Sequence, residues 1–344
     1  MAAPFQNYSG GVLLADIVKR NNLSTYVSEA IKERSAFIKS GAVVRNALLD
    51  ATEGGTRIQV PEFNPITPTE EILDGTATWG TSNSGHLTPQ KIGTDTQIAT
   101  ICHRGFAYAV DDVAVLAAGE DPMGHIRNQI ADAINKLNSA RLFSLLDGLF
   151  ASGTGPLGAN SLDVAKAGTS AVEANFLTAS TVARGRSLLG SRGDELDTLV
   201  VHPSVAYYLY QVGMLTFSTS ALSTGGAVTW GGGGVGVSET SIGQFAGMNV
   251  VIDSQVNTVA PGSSGHQTEF RCFLIKSGTI LEGEQSPLGI ESDRNILSKQ
   301  DVMSVDYHSA YHVMGTKWTS ATDNPTNAQL GNSNNWGITY DADL

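Results

Sequence analysis

The sequence predicts an α+β protein built from a few long elements, and three patterns carry this prediction. Apolar residues recur at helical spacing through residues 123–149, where 27 residues would span about 40 Å at 1.5 Å per residue. Alternating apolar residues predict strands over residues 56–63, 97–110 and 301–313. A helix, strand, helix pattern over residues 178–212 predicts a smaller α/β unit. With 344 residues, the chain can form two domains or one elaborate fold.

The sequence of residues 1–50 predicts an arm rather than part of a core. An extended start is followed by helical stretches, with Ser24 as a candidate N-cap. Six basic against four acidic residues give this arm a charge of +2, whereas the whole chain carries −12. A negative chain is unsuited to binding nucleic acid over its whole surface, so any contact with a polyanion would favour the arm. The same surplus is typical of a solvated amphipathic helix, which is the first interpretation of this charge. The residues expected to face a polyanion are Lys19, Arg20, Lys32 and Arg34.

Residues 64–93 predict a projecting hairpin between two strands. Of these 30 residues, 17 are Gly, Pro, Ser, Thr or Asn, so the segment cannot build a core of its own. A two-stranded ribbon of this kind is marginal in water and favours packing against another copy of the chain; a lid over an active site of the same chain is the alternative. The candidate contact residues, including one from the Gly-rich loop 216–237, are Phe63, Ile72, Leu73, Trp79, Leu87, Lys91 and Trp230.

The remaining elements are predicted from caps and turn residues. Asp112 is a candidate cap for a short helix, and Asp121-Pro122 predicts the start of the long helix. Further predicted elements are a helix over 178–189, a strand over 198–201, a helix over 204–212 and strands over 247–252 and 270–276. The tail after Trp318 is rich in Asn, Thr and Ser and shows no periodic pattern.

Patterns typical of enzymes are absent from the sequence. It contains no Gly-Lys dipeptide for a P-loop, no helix after the glycines at 231–236, no HExxH and no Gly-x-Ser-x-Gly. His308 and His312 would lie about 13 Å apart on one strand face, too far for a shared metal ion. Two cysteines without a CxxC spacing predict reduced thiols. We therefore expect no catalytic, cofactor-binding or metal-ligating residue, and no membrane span.

Two segments carry a resemblance to a known family. Residues 199–209, LVVHPSVAYYL, form a strand, a His-Pro pair and a helix, and residues 243–252, GQFAGMNVVI, contain a G-x-x-x-G-x-x-V strand. Together with the order of the elements, they resemble the major capsid proteins of tailed bacteriophages, which have the Hong Kong 97 fold. The resemblance covers residues 10–318.

The resemblance implies a division of the chain. It predicts an N-terminal arm (1–53), an extended hairpin called the E-loop (54–110), a P-domain with its spine helix and linker (111–174), an A-domain (175–269), returning P-domain strands (270–318) and a C-terminal tail (319–344). Some members cross-link a Lys of the E-loop. Lys91 is the one Lys in this segment, but no partner Asn can be identified, so no cross-link is predicted.

The function implied by the resemblance is that of a major capsid protein whose hexamers and pentamers form an icosahedral head around double-stranded DNA. The implied partners are other copies of the chain, a scaffolding protein, a portal, a decoration protein and packaged DNA held by weak contacts. Because fold-like sequence begins near Met1, a separate scaffold or prior cleavage is expected. The virion is the expected location, after assembly in the host cytoplasm. An encapsulin-type compartment is the first alternative, and an α/β enzyme with a lid at 64–93 is the second.

Overall fold

A computed structural model describes most of the chain. The described residues are 37–50, 54–66, 68–71, 89–119, 122–164, 175–214, 243–259, 268–286 and 288–339. The predicted arm before residue 37, with Ser24, lies outside these ranges. Residues 72–88 of the predicted hairpin and the whole Gly-rich loop 216–237 also lie outside them.

The described elements follow the predicted order. The strands are β1 (Val43–Arg45), β2 (Arg57–Phe63), β3 (Thr94–Asp111), β4 (Thr198–Val201), β5 (Gly243–Phe245), β6 (Met248–Ile252), β7 (Thr258–Val259), β8 (Glu269–Phe270), β9 (Cys272–Ile275), β10 (Ile280–Glu284), β11 (Gly289–Asn295), β12 (Gln300–Val313), β13 (Thr316–Trp318) and β14 (Trp336–Ile338). The helices are α1 (Asp112–Ala118), α2 (Pro122–Leu149), α3 (Ala179–Ser187), α4 (Pro203–Gln211) and α5 (Asn327–Leu330).

The main sheet has β3 and β12 at its centre. Its strand order is β1-β10-β12-β3-β13-β14, with β11 paired to β12 and β2 paired to β3. The antiparallel β12–β3 ladder runs from Gln300↔Asp111 to Ala310↔Ile101. The other half of β3 pairs with β2, from Arg57↔Thr100 to Phe63↔Thr94. Thus β3 has two sets of partners: residues 94–100 pair with β2 at the base of the hairpin, where Ile98 also pairs with β13, and residues 101–111 pair with β12.

The long helix α2 packs across one face of this sheet. It begins at Pro122, as the Asp121-Pro122 pair predicts, and ends at Leu149, also as predicted. Ile130 of α2 lies in a buried cluster with Met303 and Val305 of β12. Side chains alternate between the two faces of a strand, so the odd-numbered residues in this part of β12 face α2. The preceding helix α1 is capped by Asp111, whose carboxylate accepts from the Val113 N–H, and not by the predicted Asp112.

The small sheet confirms the predicted α/β unit. Its order is β5-β6-β4-β9, with β4 parallel to β6 and antiparallel to β9. The helix α4 follows β4 and packs Leu209 against its buried residues. His202 caps α4, since its Nδ1 accepts from the Ser204 N–H at 3.2 Å, and Pro203 supplies the first helical residue.

Two segments predicted to lie outside the core belong to it. Residues 37–50 contain β1, which pairs with β10, and Phe37, which is buried and stacks on Phe143 of α2. The prediction of an arm without core contacts is therefore wrong for these residues. The C-terminal segment is also buried in part, because Trp336 of β14 packs edge-on against Trp318 with ring centroids 4.9 Å apart. Short elements of three or four residues carry no periodic signal, so the sequence did not reveal them.

Candidate assembly surfaces

The projecting part of the hairpin exposes large apolar side chains. Phe63 is 79% exposed, Ile66 is 71% exposed, and Ile92 on the returning limb is also exposed. We call these three residues the hairpin surface. Burying each of them would contribute roughly 1.5–3 kcal/mol. Of the predicted contact residues, Phe63 and Lys91 are described, and both are exposed.

The two limbs of the hairpin stay side by side beyond the last ladder pair. The Asn64 N–H donates to the Gly93 carbonyl at 2.9 Å. Further out, the Gln90 side chain accepts from the Thr69 N–H at 3.3 Å and donates to the Thr69 carbonyl at 3.0 Å, as a neighbouring strand would. The ribbon can therefore project up to about 20 Å past Phe63 at ~3.3 Å per residue.

The other predicted contact and polyanion-facing residues lie outside the described residues. They are Ile72, Leu73, Trp79, Leu87, Trp230, Lys19, Arg20, Lys32 and Arg34.

The hairpin base is fixed to the main sheet by buried polar groups. Gln97 of β3 donates from its amide nitrogen to Glu62 of β2, and its Oε1 lies 2.8 Å from His312 Nε2. The same Oε1 accepts from the Gly315 N–H at 3.2 Å. His312 Nε2 must therefore carry the hydrogen. Burial lowers the pKa of His312 to about 4, so the imidazole is neutral at pH 7.

A second apolar surface lies at the far end of the main sheet. It consists of exposed side chains on α1 and on the turn between β11 and β12, which the sequence analysis did not select. These residues, which we call the tip surface, are Val113, Leu116, Ile296 and Leu297. Leu116 is 82% exposed, although its helical spacing resembles that of a core residue.

The tip surface is held together by ion pairs and a backbone hydrogen bond. Arg294 of β11 lies 2.5 Å from Asp112 of α1 and 2.9 Å from Asp301 of β12. The Asp112 N–H donates to the Lys299 carbonyl at 3.0 Å. Asp112, expected from the sequence to be a cap, is instead one of the carboxylates that orient Arg294.

A groove separates the start of α2 from β11. The groove is open to solvent and has a volume of about 370 Å³. The residues that line it are Met123, Arg127, Ser292, Asp293, Arg294, Asp301, Val302 and Met303. Arg127 is exposed and forms no ion pair with any described residue.

Burial shifts the pKa values of several cysteine and histidine side chains among the described residues. Burial raises the pKa of the Cys272 thiol to about 12 and also raises the pKa of Cys102, so both thiols remain protonated. His308 stacks on His103 of the neighbouring strand with centroids 4.0 Å apart, and burial together with this neighbour lowers its pKa. Within the described ranges, no group of three His, Cys, Asp or Glu could hold a metal ion. Among the same residues, no helix is long and apolar enough to cross a membrane.

Comparisons with known proteins agree with this architecture. The sequence profile of a family described as phage capsid protein matches residues 94–332. The major capsid protein of Bacillus phage SPP1 is 24% identical over 338 residues, which cover 95% of this chain and 94% of that protein.

Solved structures show the same fold at low sequence identity. The capsid of Ralstonia phage GP4 matches with a TM-score of 0.59 and 11% identity, over 86% of this chain and 92% of that one. The capsid asymmetric unit of cyanophage Pam1 matches with a TM-score of 0.54 and 11% identity, over 95% and 97% of the two chains.

The sheet, the long helix and a hairpin whose described apolar side chains are exposed define a shell-forming protein with the α+β Hong Kong 97 fold. The chain belongs to the phage capsid protein family. It is the major capsid protein of a tailed double-stranded DNA phage, a structural component of the virion that forms the icosahedral head. The family assignment contradicts the alternative of an enzyme with a lid and gives no support to an encapsulin-type compartment.

Proposed function

We propose that the chain assembles into hexamers and pentamers in which the hairpin surface of one copy packs against the body of another. The observation that supports this most directly is the exposure of Phe63, Ile66 and Ile92 on a ribbon whose composition is too poor in apolar residues to build a core. Isolated ribbons are marginal in water, so a neighbouring copy is needed to bury these side chains. Many such contacts, each of modest area, close into one particle.

We propose the same division of the chain that the resemblance implies. Residues 54–110 would be the E-loop, α2 with the main sheet the P-domain, and residues 175–269 the A-domain. The hairpin boundary supported by strand pairing is narrower, since residues 101–111 lie in the centre of the main sheet. We also propose that residues 1–36 act as the arm that reaches a neighbour or the genome.

The proposed external partners are a scaffolding protein, a portal, a decoration protein and the packaged DNA. A net charge of −12 supports weak contact with DNA, because a negative wall repels the phosphate backbone. Purified shells are expected to release DNA fragments at physiological salt. Strong retention of DNA by shells of this protein alone would contradict the proposal.

The test of hairpin-mediated assembly is the double variant Phe63→Asp, Ile66→Asp. Both side chains are exposed, so the unassembled protein should keep its thermal stability, whereas two buried carboxylates per contact should prevent shell formation. Negative-stain imaging and sedimentation, with and without a co-expressed scaffolding protein, measure the assembled fraction.

The matched control is Phe63→Leu, Ile66→Leu, which keeps both sites apolar and should form shells. Normal shells from the aspartate variant would overturn the proposal.

A further inference from the structure

We propose that three consecutive residues of the C-terminal segment, Asp323, Asn324 and Pro325, fix the angle at which the hairpin leaves the main sheet, and that this angle keeps the shells uniform in diameter. We call these three residues the clamp. The inference rests on the proposed function of the hairpin and adds the residues that aim it.

The clamp reaches both limbs of the hairpin at its root. The strand β2 begins at Arg57, whose Nε donates to Asp323 Oδ1 at 2.8 Å. On β3, the last residue paired with β2 is Thr100. The next residue, Ile101, still donates its N–H to the Thr56 carbonyl at 3.1 Å. The clamp thus contacts the hairpin where the pairing of β2 with β3 ends.

Asn324 takes the place of β2 along the next part of the β3 edge. N–H groups two residues apart point to the same edge of a strand, so the His103 N–H faces the same side as that of Ile101. It donates to Asn324 Oδ1 at 3.0 Å. The Arg104 guanidinium donates to the same oxygen and to the Pro325 carbonyl. One side-chain oxygen and one carbonyl therefore tie β3 to the C-terminal segment.

The clamp is anchored to the core on both sides. Before it, the indole N–H of the buried Trp318 donates to the Thr322 carbonyl at 3.1 Å. After it, Thr326 caps α5, which packs on α2 and buries Leu330. Pro325 itself is buried. The hairpin is thus tied to a segment that belongs to the body of the protein.

The backbone at Asn324 restricts which residue can serve at this position. Its φ is 51°, in the left-handed region, which Asn and Asp adopt more readily than other residues with a side chain and which Gly adopts freely. Glycine would keep this backbone and remove Oδ1, whereas aspartate would keep both the backbone and an acceptor. The position therefore offers a matched pair of substitutions.

A small change of angle at the root becomes large at the outer end of the hairpin. The seven residues of β2 and the ribbon beyond Phe63 form a lever of roughly 40 Å at ~3.3 Å per residue. Turning this lever by about 10° moves its outer end by roughly 7 Å, more than the ~4.5 Å within which apolar groups stay in contact. Because the Arg57–Asp323 pair is partly exposed, its loss should change the angle without unfolding the body.

The angle of the hairpin matters for the shell because closed particles repeat the same contacts. Copies in equivalent positions of a closed shell meet through identical surfaces. A hairpin whose direction varies from copy to copy meets its neighbours at different angles, and the shells then close with different diameters. The clamp therefore affects the accuracy of assembly.

Distance measurements on the unassembled protein test the clamp directly. Spin labels at Lys91→Cys on the hairpin and Glu291→Cys on β11, both exposed sites, report the angle once Cys102 and Cys272 are replaced by Ala. Pulsed electron paramagnetic resonance should show a distribution of label distances at least about twofold wider in Asn324→Gly, because the root becomes a hinge. Asn324→Asp should leave the width unchanged. An unchanged width in the glycine variant overturns the inference, whatever its shells look like.

The diameters of the shells test the second half of the inference. Negative-stain imaging of shells formed with a co-expressed scaffolding protein measures the fraction that has the commonest diameter. In Asn324→Gly this fraction should fall at least about fivefold, since the contacts no longer repeat, while the melting temperature of the unassembled protein stays close to the original. Asn324→Asp should give uniform shells. Uniform shells from a glycine variant with a widened distance distribution would overturn the link between hairpin angle and shell diameter.

A second variant keeps the test decisive if Asn324→Gly does not fold. Arg57→Ala removes the ion pair with Asp323 at the other limb of the hairpin. Arg192→Ala is the matched control, because it removes an exposed ion pair with Glu195 in the small α/β unit. Arg57→Ala should widen the distance distribution and mix the shell diameters, and Arg192→Ala should do neither. The same result for both variants would contradict the role of the clamp.

The outcomes separate this inference from the proposed function. Normal shells from Phe63→Asp, Ile66→Asp would refute assembly through the hairpin, and a widened distance distribution in Asn324→Gly would support the clamp even then. If the aspartate variant fails to assemble while Asn324→Gly keeps its narrow distance distribution and uniform shells, the hairpin mediates assembly and the clamp does not aim it.

Discussion

His312 is a single side chain whose protonation should be visible in the stability of the whole protein. It is 1% exposed, its Nε2–H donates to Gln97, and its Nδ1 has no hydrogen-bond partner within the described residues. Protonation would put a positive charge on the buried imidazole, and its new Nδ1–H would have no acceptor among the described residues. Burial therefore keeps the pKa near 4, below the ordinary value of 6.5.

The free energy of unfolding should consequently fall between pH 6.5 and pH 4. In this range the unfolded chain binds a proton that the folded chain does not, so acid favours unfolding, by about 3 kcal/mol for this group once pH 4 is reached. Urea unfolding of the unassembled protein at several pH values measures the slope. His312→Gln keeps a donor for Gln97 and removes the titrating group, so its slope should be smaller. Equal slopes for the two proteins would contradict this role of His312.

Exposure is the residue-level property that the sequence predicts least well. Phe63 was expected at a contact because it ends a strand before a segment without a core, and it is exposed. Leu116 shows the helical spacing of a core residue, yet α1 turns it towards solvent at the tip. The cross-strand stack of His103 on His308 depends on the register of two strands about 200 residues apart in the chain. Local patterns contain no information on that register.

Length explains which elements the sequence predicts. The 28 residues of α2 repeat the helical pattern often enough to fix both ends within one residue. By contrast, β1 has three residues and α5 has four. Their positions depend on partners far away in the sequence: β1 pairs with β10, and α5 packs on α2. Parts of the predicted arm and of the predicted tail therefore belong to the core.

The C-terminal segment should accordingly be needed for stability. Trp336 is buried against Trp318, and its indole N–H donates to the Leu330 carbonyl at 2.7 Å. Gly148 of α2 lies directly beneath, where a Cβ would overlap that same carbonyl. Trp336→Ala should lower the free energy of unfolding by about 3–5 kcal/mol, because it leaves a cavity at this contact.

Urea unfolding of the unassembled protein measures this effect. Asn334→Ala changes an exposed side chain two residues away and should alter stability by less than about 0.5 kcal/mol. If the two variants were equally stable, the segment would behave as the solvated tail that its composition predicts.

The whole molecule combines a self-contained body with a ribbon that depends on a neighbour. The centre of β3 is hydrogen-bonded to β12, and Ile101 and Val110 are buried within one chain. Beyond Phe63 the described part of the ribbon is held by exposed hydrogen bonds such as those between Gln90 and Thr69. Exposed backbone hydrogen bonds with little buried apolar area open easily.

Hydrogen exchange should separate these two parts. In the unassembled protein, amides of residues 61–71 and 89–93 should exchange rapidly, whereas amides of residues 101–110 should be protected. Assembly into shells should slow exchange in the ribbon by at least about tenfold and leave residues 101–110 nearly unchanged, because the ribbon gains its partner only from another copy. Peptide-level mass spectrometry measures both states, and peptides from residues 303–310 serve as the internal reference. A ribbon that is already protected before assembly, with no further change in shells, would show that it is completed by its own chain and would remove the physical basis for assembly through the hairpin.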